Sequence, residues 1–173
     1  MDEFIFETAR LELIPFSILD SKDFHQINTD AYVRKYMWDD EIIPISLADE
    51  IMQKNNQFFS EKGFGIWKII SKKSKKLMGY TGLWYFFDEP QPQLIYALLQ
   101  NFTGEGFATE AAISIVDYAF NKLNFNYLIV ATDEPHLASQ KVAKRLGFKF
   151  IEKRIENDKP TLFFRTEKKD FLG

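Results

Sequence analysis

A strand-like run ending at Leu98-Leu99 leads into Gln100-Asn101-Phe102-Thr103-Gly104-Glu105-Gly106, and a strong helical pattern starts directly afterwards at Phe107-Ala108-Thr109-Glu110-Ala111. Glycine lets backbone approach a ligand closely, and a helix start offers unpaired amides carrying about half a positive charge. Such a bend can cradle a diphosphate. A plain turn is the competing reading of a Gly-x-Gly taken alone. A dinucleotide fingerprint would need a third glycine where Thr109 stands and a preceding parallel strand–helix–strand unit. A Walker-type loop would need Lys and then Ser or Thr where Phe107 and Ala108 stand. NAD and ATP are therefore disfavoured as the anion.

Other chemistries are narrowed by composition. The chain has 173 residues with no cysteine and two histidines, His25 and His136, which removes disulfides, thiol catalysis and Cys-zinc sites and leaves little for a metal cluster. A net charge of −3 argues against a general nucleic-acid binder. The one dense basic run, Lys72-Lys73-Ser74-Lys75-Lys76, lies between two apolar stretches and reads as a solvated hairpin turn. The acidic start Met1-Asp2-Glu3-Phe4 is no secretory signal, and no apolar run approaches the ~20 residues of a membrane span. A cytoplasmic protein is expected, and the 16% aromatic content leaves room for a homodimer surface.

The elements that must carry the bend follow from periodicity. Arg10 to Phe16 reads as a strand, followed by polar helical segments to about Met37. Ser46-Leu47-Ala48-Asp49 resembles a capping box, with Leu47, Ile51, Asn55, Phe58 and Phe59 recurring helically up to Gly63. Gly65–Ser71, Leu77–Phe87 and Gln93–Leu99 form an antiparallel meander. Phe107, Ala111, Ile115, Ala119 and Leu123 fall four apart on the next helix. A short strand at Tyr127–Ala131 precedes a helix opened by Pro135 and closed by Gly147, with Ser139, Val142, Ala143 and Leu146 inward. Asp133 and Glu134 read as its caps. Phe148–Ile155 and Thr161–Thr166 close the chain as a hairpin about residues 157–160. With no repeat or flexible linker, residues 1–173 read as a single domain.

These segments, in this order, resemble the GNAT acyltransferases, in particular the branch containing ribosomal-protein alanine N-acetyltransferases. Thr8-Ala9-Arg10-Leu11 with Pro15 is similar to the branch's opening strand, Gly104 to Ala111 to its acetyl-CoA loop, and Ser139 through Leu146-Gly147-Phe148 to its second core helix. The resemblance implies an α/β (α+β) fold: a central mixed, mostly antiparallel twisted sheet, helices on both faces, splayed between the fourth and fifth strands. It implies acetyl-CoA as acyl donor, with no metal. Backbone of Leu98, Leu99 and Gln100 would take the pantetheine arm, and Thr103, Gly104, Glu105, Gly106, Phe107 and Ala108 the diphosphate. The thioester would then lie near Ser139, and the Leu98 amide would face the developing negative charge.

The sequence departs from that pattern in three places, one of them Thr103 for a common tryptophan, which should alter packing beside the loop rather than chemistry. Gln93 stands where the branch usually has a proton-relaying glutamate, and an amide is no base. His136 replaces an asparagine, and Ala143 replaces a tyrosine that protonates the leaving thiolate. Ser139 thus becomes the expected thiolate donor, with His136 as the second titratable candidate. Trp38 and Asp39 from the early helices, with Trp84 and Gln93 from the meander, are expected to receive the amine, whose acidic and aromatic surroundings suit a cation. The α-amine of a peptide or ribosomal protein is the first acceptor expected. A small-molecule or antibiotic amine is the alternative, and a catalytically silent acyl-CoA-binding module is the reading from another class.

Overall fold

The computed structural model describes residues 2–171. Two strands, β1 (Phe6–Glu7) and β2 (Leu11–Pro15), are followed by α1 (Ser21–Thr29), α2 (Ala31–Met37) and α3 (Ile45–Lys62). The meander is β3 (Ile66–Ser71), β4 (Leu77–Trp84) and β5 (Gln93–Leu98). After it come α4 (Phe107–Asn121), β6 (Tyr127–Asp133), α5 (Leu137–Arg145), β7 (Lys149–Glu156) and β8 (Lys159–Glu167).

The strands form a five-stranded sheet in the order β1-β2-β3-β4-β5 and a three-stranded sheet in the order β6-β8-β7, every described ladder being antiparallel. Strand alternation puts Leu94, Tyr96 and Leu98 of β5 on the face covered by α4, whose Ala111, Ala112, Ile115, Val116, Ala119 and Phe120 are all buried. Ile95, Ala97 and Leu99 face the opposite layer, where Phe16, Phe24, Ile27 and Met52 pack beneath α1 to α3. Helices therefore cover both faces, as the expected fold requires.

The break in the sheet lies between β5 and β6, the fourth and fifth strands of the sequence reading. The Gln91 side-chain amide donates to the Tyr127 carbonyl beside the starts of the two strands. From that pinned end they run side by side without a hydrogen-bonded ladder, so the mixed character is confined to an open junction.

Several local expectations change. No capping box forms at Ser46, because α3 begins one residue earlier, after Pro44, and Ser46 lies within its first turn. A reciprocal box forms instead at Ser17 and Asp20, before α1. Strand β4 stops at Trp84 rather than Phe87, since Phe87 and Asp88 adopt φ of 54° and 55°. Asp133 and Glu134 do not cap α5, whose N-cap is His136 without a side-chain bond; Glu134 pairs with Lys153 at 2.9 Å. The last hairpin turns on Asn157 and Asp158 alone, with φ of 49° and 62°, and Pro160 lies in β8 opposite Ile155. Proline is tolerated there because β6 pairing starts one residue later, at Thr161.

Candidate active site

The bend after β5 is built as an anion cradle. Gly104 and Gly106 have φ of 84° and 82°, a left-handed conformation that suits glycine. Gly106 is the N-cap of α4 and brings no side-chain cap, so the first amides of that helix stay available. Glu110 makes the first turn's bond, from its amide to the Gly106 carbonyl at 3.0 Å.

Backbone on the open edge of β5 is also available. Successive N–H groups of a strand point to opposite edges. The Leu99 amide donates to the Met78 carbonyl of β4 at 2.9 Å, which leaves the Leu98 amide directed towards the gap beside β6.

A cavity of about 300 Å³ runs along this backbone, with Leu98, Thr103, Gly104, Gly106, Phe107 and Ala108 in its wall. Leu99, Gln100 and Glu105, also expected to hold the donor, are not in that wall. Leu99 packs into the opposite apolar layer, and the Glu105 carbonyl is turned to Arg10. The far wall is α5, which adds Lys141 and Arg145, two cations one helical turn apart that the sequence reading overlooked. Glutamate at either position is expected to raise the KM for acetyl-CoA several-fold, and the loss should shrink with added salt. Steady-state kinetics at two ionic strengths check this.

An adjoining cavity of about 460 Å³ opens on the other side of Ser139. Tyr36, Met37, Tyr96, His136 and Ser139 line both spaces, so the two meet at these residues. Here Ser139 is buried, its hydroxyl 3.4 Å from the Tyr96 hydroxyl, and Tyr96 donates to the Ser139 carbonyl at 2.9 Å. Burial outweighs these bonds and pushes the Tyr96 pKa up to about 12, keeping its proton in place at neutral pH.

His136 stacks on Tyr36 with ring centroids 3.7 Å apart. Burial and the nearby Lys35 charge lower its pKa to about 4, so its imidazole is neutral at physiological pH. A histidine whose folded pKa lies below its unfolded value contributes stability that is full above the unfolded pKa and is lost as pH falls. Between pH 6.5 and about 4 the thermal midpoint should fall more steeply for the unmodified protein than for His136→Asn. Parallel melts of the two proteins test the difference.

The second cavity is acidic and aromatic. Trp38, Asp39 and Gln93 share its wall with Phe86, Phe87, Glu41, Asp133, Glu156 and Lys159. Trp38 is fixed by a 2.7 Å bond from its indole N–H to Asn28, and Gln93 by a 3.0 Å bond to the Phe86 carbonyl. Lys159 pairs with Asp39 and lies 3.8 Å from Asp133, whose carboxyl is pushed up by burial. Trp84 is not brought here. It packs on Phe58 at 4.9 Å, because β4 ends at that residue and the following turn delivers Phe86 and Phe87 instead.

Comparison with known proteins agrees with this geometry. Residues 10–149 match the family model described as an acetyltransferase (GNAT) domain. The chain is 29% identical over 142 residues to the N-acetyltransferase p20 of Bacillus licheniformis, covering 82% of this chain and 80% of that one. Among solved structures, the RimL ribosomal L7/L12 α-N-protein acetyltransferase in complex with coenzyme A superposes with a TM-score of 0.79 at 15% identity, covering 94% of this chain and 97% of that one. The ribosomal-protein-S5-alanine acetyltransferase of Vibrio fischeri also gives 0.79, at 13% identity and coverage of 98% and 99%. No described helix is long and apolar enough to cross a membrane. With the family model matched over residues 10–149, most of its length, the chain belongs to the GNAT acetyltransferases and is an N-acetyltransferase.

Proposed function

We propose that the protein transfers acetyl from acetyl-CoA to the α-amine of a peptide or ribosomal protein. The cavity walled by Leu98, the two left-handed glycines, the start of α4 and the α5 cations supports this donor. A thioester carbonyl supplies the electrophile. The amine nitrogen bonds to the carbonyl carbon, and Leu98 N–H faces the charge that develops on the oxygen. As the C–S bond breaks, Ser139 passes a proton to the sulfur and regains one from the amine nitrogen.

The observation carrying the acceptor assignment is the neutral His136 imidazole in the wall shared by both cavities. It is a weak proton acceptor, and Gln93 is none. A lysine side chain near pKa 10.4 needs a strong base, whereas an α-amine at roughly 7.7–8.0 is partly neutral already. Asp39, Glu41, Asp133 and Glu156 around the second cavity favour a cationic acceptor. Both structural neighbours described above carry ribosomal-protein names, which supports the same acceptor class.

The roughly 460 Å³ size of the cavity favours a small-molecule amine as the second reading. Thiol release from acetyl-CoA, followed against panels of N-terminal peptides and of small amines, separates the two. Turnover with peptides that is lost on blocking the α-amine supports the first reading. Turnover confined to small amines overturns it.

A further inference from the structure

Outside both cavities, one ion-paired cluster joins the chain's first segment to the cradle. Three parts of the Arg10 guanidinium are engaged at once. Its Nε meets Glu110 at 2.6 Å, its Nη2 donates to the Glu105 carbonyl at 3.1 Å, and its Cζ lies 4.1 Å from the centre of the Phe107 ring. The Arg10 backbone amide donates to the same Glu110 carboxylate at 2.9 Å, and the Thr8 hydroxyl does so at 2.6 Å. Burial disfavours the Glu110 charge, but these donors outweigh it and hold the carboxyl below its usual range.

We infer that Arg10 is a positioning residue for the diphosphate of the acyl donor, acting by holding the 105–110 segment in its receptive conformation rather than by touching the donor. This rests on the acyl-CoA reading of that cavity. The peptide plane gives the mechanism. In a trans peptide the carbonyl and the following N–H point in opposite directions. Anchoring the Glu105 carbonyl on Arg10 therefore turns the Gly106 N–H the other way, and Gly106 is in the cavity wall. Arg10 itself is absent from that wall, and its charge is matched by Glu110.

The second consequence is electrostatic. Glu110 stands in the first turn of α4, where a free carboxylate would repel a diphosphate seated on the same helix start. Thr8 and Arg10 neutralise it and tie it to the strand side. Lysine at position 10 would keep the charge but lose the fork that serves carbonyl and carboxylate together.

The test compares two donors on the same samples: acetyl-CoA, and S-acetyl-pantetheine, which lacks the diphosphate. In Arg10→Gln, the ratio of kcat/KM for acetyl-CoA to that for S-acetyl-pantetheine should fall about tenfold, and the CoA dissociation constant measured by calorimetry should rise about tenfold. Because the ratio cancels the folded fraction, partial unfolding leaves it interpretable. Because Arg10 and Glu110 act as one unit, adding Glu110→Gln to Arg10→Gln should remove the unneutralised carboxylate and recover part of the loss, so the two effects are not additive in free-energy terms. Equal losses with both donors, additive effects, or an unchanged CoA affinity would overturn the inference while leaving the donor assignment standing. Failure of the unmodified protein to bind CoA would overturn the donor assignment and this inference together.

Discussion

Gly106→Val is expected to weaken CoA binding by about ten- to a hundredfold while the fold survives. A β-branched residue held in the left-handed region costs about 1–3 kcal/mol, and each 1.4 kcal/mol is a factor of ten in affinity. A Cβ at Gly106 meets nothing closer than Arg10 Nη2 at 3.6 Å, so space is not the constraint; φ of 82° is. The chain escapes the strain by rotating the bend, which turns the amides at the start of α4 away from the cavity. Calorimetry with CoA and a thermal melt of the variant read the two effects separately. Unchanged affinity would remove the glycine bend from the binding site.

Ser139→Ala should lower kcat by about 100-fold, the lower end for a positioned proton donor, while the KM for acetyl-CoA stays within about threefold. Its hydroxyl is buried where the two cavities join and donates to the Tyr96 hydroxyl at 3.4 Å, which supports its proposed role beside the departing sulfur. Tyr96→Phe leaves the Ser139 carbonyl without its 2.9 Å donor and should produce a smaller loss of the same kind. A kcat for Ser139→Ala equal to that of the unmodified protein would mean that the thiolate leaves without help from this side chain.

Much of this machinery could be read from local pattern. The Gly104-Glu105-Gly106 bend and the apolar stripe of α4 are contiguous in sequence, so spacing alone located them. The meander was equally legible, because strand periodicity and the lysine turn are short-range signals. Caps were harder. Ser46 had the right neighbours, but Pro44 already sets the start of α3, and the true box at Ser17 precedes a short 3-10 turn without a helical stripe.

The acceptor side was read least well, because it is assembled from segments remote in sequence. Asp39 meets Lys159 across 120 residues, Asp133 arrives from the end of β6, and Phe87 enters only because β4 stops three residues early. Glu110 stands as an acid in the first turn of α4, yet its partners are Thr8 and Arg10, about a hundred residues upstream. No local periodicity encodes such pairs.

Calorimetric titration of CoA into the purified protein tests the diphosphate cradle most directly. Saturable binding of one CoA per chain, weakened by Gly106→Val, is the expected result. Absence of saturable heat with the folded, unmodified protein would contradict it.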